Sequence, residues 1–249
     1  MLSSHDRYTV AIAYLQAAQL LVAKMQSSQA QTVLKFLEES CQLISPGEQY
    51  DFRPGVNLSS KFNGIYLAWV YVFDQHDLAK LSFNCRKNLG LEDTRQMGMY
   101  YLPNRFLVLN NSHYSSFMKG LWILHEGFHA WSHQVMGHNG TEGCEFHEHE
   151  AHELDQVVLN EYGGSLYQTL LRYRIEELRK ELRGRSLLER PQFQEPPYLF
   201  ALDQIMGSFT EPFEMEIRKR LLHRHAVYTL VWELDLPHTE KIQLLNSLL

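Results

Sequence analysis

Cysteine is scarce in this chain of 249 residues: there are three, Cys41, Cys85 and Cys144. An odd, widely spaced set argues against a disulfide framework, and no Cys-x-x-Cys pair is present to build a zinc knuckle. Cys144 reads as a loop thiol. Basic charge is also short, with 23 Lys and Arg against 29 Asp and Glu and a formal net charge of −6. Without a basic excess there is no electrostatic footprint for neutralising phosphates, so no nucleic-acid partner is expected. Long apolar runs are missing too. The stretch from Ala11 to Ala23 is broken by Gln16 and Gln19 and preceded by Asp6 and Arg7. That is too polar for a secretory core or a membrane span, so we expect no span and a cytoplasmic location. Internal repeats and low-complexity tracts are absent. What remains is 45% hydrophobic and 21% charged, the balance of an ordinary globular protein long enough to bury a substantial core.

Histidine, by contrast, is abundant and clustered. Eight of the thirteen fall between His113 and His152. At the centre lies HEGFH, His125 to His129. On a helix, residues four apart share a face, so His125 and His129 can offer two imidazole nitrogens to one metal ion. Glu126 is turned about 100° from His125. It is placed to act on a water at that ion rather than to bind the ion itself. This is the division of labour in His-Glu-x-x-His zinc hydrolases. The surrounding residues, Phe117, Met118, Leu121, Trp122, Ile123, Leu124, Phe128, Ala130 and Trp131, are apolar on nearly every face. Such a helix is buried, and polar groups inside it need partners. A metal ion would satisfy them together; hydrogen-bonded core histidines are the plainer alternative.

The helix is expected to end near Val135 or Met136, before Gly137, and HNGTEGCEF reads as a loop. A second helix starts near Phe146 and can return a carboxylate to the ion. Glu148, Glu150, Glu145 and Glu153 are the candidates; Glu148 and Glu150 point about 200° apart, so both cannot serve. With EHEA at 148–151 following HEGFH, the sequence resembles the gluzincin clan of zinc metallopeptidases over about thirty residues. The resemblance implies His125, His129 and Glu148 as ligands of Zn²⁺, Glu126 as general base, and a peptide or protein substrate. In several families of the clan an aspartate follows the alanine and supports the first histidine. Here the position is His152, and His152 and His133 are the candidates for supporting or oxyanion-stabilising groups. His223, His225 and Tyr228 are further candidates for steadying an oxyanion.

The fold expected is α+β and mostly helical, in a single zincin-like domain spanning 1–249. A helical hairpin occupies 1–47, with helices at 5–26 and 29–43. A small antiparallel sheet and the active-site helix pair occupy 48–187. Its strands are expected at 64–73 and 99–110, with Phe106 to Asn110 as the edge strand that would pair with an extended substrate. Gly163 and Gly164 should kink or divide the second metal-site helix. Within that helix, like-charged pairs such as Glu177 with Glu181 are unfavourable. A C-terminal helical part covers 188–249, with a short helix at 199–207 and longer ones at 211–234 and 239–248. Two other classes fit parts of the pattern: a non-catalytic metal-binding or interaction protein, and a di-iron helical protein using Glu126 and His129.

Overall fold

The computed structural model describes residues 4–43, 68–73, 98–101, 106–110, 114–137, 144–183 and 214–249. The chain divides into two compact units, Met1–Glu142 and Gly143–Leu249. The proposed loop at 48–62, residues 138–143 of the loop proposed at 138–146, the turn at Pro103-Asn104 and the short helix at 199–207 lie outside the described residues; Cys144, expected in that loop, instead begins a helix.

The first unit opens with two helices, α1 (Ser4–Val22) and α2 (Ser28–Ser40). Ser27 caps α2 by accepting a hydrogen bond from the Ala30 amide at 3.2 Å, which satisfies one of the amides a helix start leaves open. Four short strands follow: β1 (Cys41–Leu43), β2 (Ala68–Phe73), β3 (Gly98–Tyr101) and β4 (Phe106–Asn110). Then comes α3 (Ser116–Val135), the helix that carries HEGFH. It starts where Ser115 accepts from the Met118 amide at 3.3 Å. It ends at Met136, ahead of Gly137 at φ +72°, a backbone conformation that suits glycine.

The expectation of a small antiparallel sheet is overturned. Six helices dominate the described residues, and the strands form a mixed sheet in the order β1-β2-β4-β3. β1 with β2 and β2 with β4 are parallel; only β3 with β4 is antiparallel. The continuous apolar run Trp69 to Phe73 suits an inner parallel strand better than a half-exposed hairpin. It follows that Phe106–Asn110 is not an edge. β4 is paired on both sides, so its backbone groups are committed and cannot accept an extended substrate. The alternation of Leu107 and Leu109, both fully buried, marks the face it turns to the core. The second helix also stops at Ser40 rather than 43, because Cys41 to Leu43 pair with Ala68 to Val70.

Helix α3 packs against α1, α2 and strands β3 and β4. Its buried side chains Met118, Leu121, Ile123 and Leu124 meet a core that includes Tyr14, Ala18, Val33 and Leu37. Gly120 and Gly127 allow the close approach. A Cβ on Gly120 would lie 2.8 Å from the carbonyl oxygen of Ala17, and one on Gly127 would lie 2.8 Å from Leu37 Cδ1.

The second unit holds α4 (Cys144–Leu182), α5 (Glu214–Glu233) and α6 (His238–Leu248). α4 is broken at Gly164, where φ 55° and ψ −139° leave the helical region, a conformation reserved for glycine. This is the place where the paired glycines predict a kink. α5 packs on α4 and α6 on α5, around Leu178, Val227, Val231 and Leu245. No helix among the described residues is long and apolar enough to cross a membrane.

The two glycines of α3 should respond differently to alanine. At Gly120 the obstacle is backbone, so Gly120→Ala should cost about 1–3 kcal/mol despite the better helix propensity of alanine. At Gly127 the obstacle is a flexible leucine end, so Gly127→Ala should cost clearly less. Urea unfolding of both variants checks this; equal losses would contradict the packing of α1 on α3.

Candidate metal centre

In the first unit the site residues share one helix. His125 and Glu126 are buried, and His129 is half-buried. Helical spacing brings the two histidines together: His125 Nε2 and His129 Nε2 lie 3.3 Å apart, with the rings edge-on at a centroid distance of 5.0 Å. Trp122, one turn before, stacks on the His125 ring at 5.3 Å and 9°. Phe128 packs edge-on against His129 at 6.4 Å. The aromatic neighbours thus fix both ring planes from the same helix.

The separation of the two nitrogens tests whether they fit a metal. Zinc–nitrogen bonds of about 2.0–2.1 Å at a tetrahedral angle put two ligand nitrogens about 3.3 Å apart. The observed distance matches that edge of a tetrahedron. A hydrogen bond between neutral rings is compatible with the same distance, so chemistry rather than distance separates the two. His133, one turn on, is half-buried on the same helix.

In the second unit the acidic candidate Glu148 begins a polar stripe along α4. His152 Nε2 lies 3.6 Å from Glu148 Oε2, and His152 Nδ1 lies 3.0 Å from Asp155 Oδ2. His152 and Asp155 are each about 1% exposed, so this contact lies out of water, where unpaired charge is costly. From α5, His225 Nε2 approaches the same Asp155 oxygen at 3.7 Å, and the Tyr167 hydroxyl bonds His225 Nδ1. Burial, and the Asp155 carboxylate, push the Tyr167 phenol well above its ordinary pKa. It therefore stays protonated and donates to His225. Tyr228 packs against His152 at 5.2 Å.

The rival Glu150 lies off this stripe and is half-buried. Between them, His149 stacks on Trp232 at 4.0 Å and pairs with Glu153 at 3.2 Å. Burial holds the pKa of His149 below its ordinary value, against the opposing pull of Glu153. The side chains of Glu145 and Cys144 lie outside the description.

Asp155 and Tyr167 are missing from the sequence expectations. Asp155 was legible in principle, since positions 148, 152 and 155 fall on one helical face. Tyr167 was not, because its contact depends on a helix 58 residues away. Arg174 is a third omission. It is buried, and its Nη1 lies 3.2 Å from Glu177 and 3.0 Å from Glu181. The like-charged glutamate pair thus converges on one guanidinium. The same arginine donates to His223 Nδ1 at 3.4 Å from Nε, which commits that nitrogen of His223 to Arg174.

Compared with known proteins, the chain matches no family model, no curated protein and no solved structure. The chemistry of individual groups is therefore the ground for testing. Burial, then the Arg174 charge, lower the His223 pKa from 6.5 to about 4. Above pH 6.5 the ring is neutral folded and unfolded, and its contribution to stability is complete. As pH falls from 6.5 to 4 the unfolded chain takes the proton first, so stability drops. The loss is up to about 3 kcal/mol. His223→Asn should flatten this part of the profile, as read by denaturant titrations across that range.

Proposed function

We propose that the chain is a zinc-dependent hydrolase, a metallopeptidase that cleaves peptide bonds. His125, His129 and Glu148 hold Zn²⁺, and Glu126 is the general base. Two imidazoles and a carboxylate are a donor set able to hold a metal ion. The observation that carries this reading is the 3.3 Å separation of the two Nε2 atoms on a buried helix, with Glu126 adjacent in sequence. When bound, zinc polarises a substrate carbonyl and brings the pKa of water towards neutrality.

The remaining chemistry belongs to the chain. Glu126 is about 5% exposed, in a setting that keeps bulk water from competing for its carboxylate. It accepts a proton from the attacking water and delivers it to the departing amine. His125 and His129 bind through Nε2 and are held in plane by Trp122 and Phe128. Glu148 supplies a negative charge to the cation. Location in the cytoplasm and a peptide or protein partner are part of the same proposal.

The test begins with metal content. The purified chain should carry zinc, and His125→Ala should lose it. Glu126→Gln should keep the zinc and lower turnover of a peptide library by roughly 10²-fold or more. Zinc without turnover in the wild type would favour a non-catalytic metal-binding role; full activity in Glu126→Gln would remove Glu126 from its part.

A further inference from the structure

We propose that His223 is a proton-operated clasp: its neutral ring ties the last turn of α6 to α4, and protonation of the ring releases α6 from the core of the second unit. The inference does not depend on the zinc reading. The ring lies between two groups with opposite demands. On one side Arg174 of α4 donates to Nδ1, from Nε at 3.4 Å and from Nη2 at 3.2 Å. A guanidinium only donates, so Nδ1 is the bare nitrogen and the ring hydrogen sits on Nε2. On the other side the Leu248 backbone takes a hydrogen bond from the ring. Leu248 is the last residue of α6, where carbonyls have no partner within the helix. The neutral ring with its hydrogen on Nε2 is the one protonation state that satisfies both neighbours.

A second proton breaks this arrangement. It has to sit on Nδ1, against a guanidinium that cannot accept it, and it sets two cations side by side. The charges facing the ring, among the described residues, give no relief. From α4 there is Arg174, whose Nη1 is already held by Glu177 and Glu181. On α5 the nearby charge is Arg224, and α6 offers the Leu248 backbone, which alone favours the proton. Helix α6 depends on being docked. Its eleven residues are fewer than the roughly 12–15 an isolated helix needs to persist in water. Leu244, Leu245 and Leu248 are buried, in one cluster with Ile175 and Leu178 of α4 and Val227 and Val231 of α5. Nearer its start, the Lys241 ammonium donates to the Trp232 carbonyl at 3.1 Å, a contact that acid leaves in place. Release therefore begins at the Leu248 end, as a local opening that uncovers three leucines.

The experiment is amide hydrogen exchange on the full-length protein at pH 7.5 and pH 5, corrected for the intrinsic effect of pH on exchange. Protection of α6 should fall about 30-fold between the two, while α5 and the part of α4 beyond Gly164 keep theirs. His223→Asn removes the titrating ring, and protection of α6 should then be the same at both pH values. Three results overturn the inference: α6 equally protected at pH 5, a loss shared equally by α4 and α5, or the same pH response in His223→Asn. If His223→Asn does not fold, the wild type decides through the nitrogen-15 shifts of the His223 ring. These should place the hydrogen on Nε2 at pH 7.5 and show the second proton arriving as the α6 amides lose protection. A hydrogen on Nδ1 at pH 7.5, or a protonated ring with α6 still protected, overturns the inference.

Discussion

One buried and one half-buried imidazole in an apolar helix impose the constraint on which the first unit depends. The α3 surface is apolar nearly all round, so it must be covered by α1, α2 and the sheet. Covering it also covers His125 and Glu126, and unpaired polar groups there would cost several kcal/mol. The helix reduces that cost locally. Spacing by four brings the imidazoles to 3.3 Å of each other, and Trp122 lies flat on the first ring. Gly120 matters for the same reason. Its missing side chain lets the α1 backbone reach van der Waals contact with α3, so the apolar sheath closes tightly round a polar centre.

The second unit solves a different problem. Its buried polar groups are too many for one pair: His152, Asp155, Tyr167 and His225 all lie within the α4–α5 contact. A buried network is tolerable when each member finds a partner, and it then specifies one packing of the two helices. Gly164 makes the arrangement possible. It breaks α4 between Asp155 and Tyr167, so the residues before and after the break need not keep a single helical phase. Further along, Arg174 repeats the principle with charge, gathering Glu177 and Glu181 round one guanidinium.

What was legible in the sequence is what depends on local periodicity. HEGFH on a buried helix, the stop at Gly137, the break at Gly164 and the helices near 214 and 238 all follow from spacing and from glycine's backbone freedom. The strand at Phe106 to Asn110 was legible as a strand, but its neighbours were not. Strand order is set by long-range pairing, and β2 inserted itself as a parallel partner from more than thirty residues upstream. The same limit applies to polar partners. Glu177 and Glu181 read as a repulsive pair because their common cation is seven residues before Glu181 and faces inward. His152 read as a candidate supporting group, but its buried partner Asp155, three residues on in the same helix, was not read.

This local character bears on how a metal could act in such a chain. Donors set four apart on a helix lose little further freedom when they bind, because the backbone has already oriented them. His125 with His129 is a pair of this kind. Metal binding of that sort draws on folding free energy and returns it as stability.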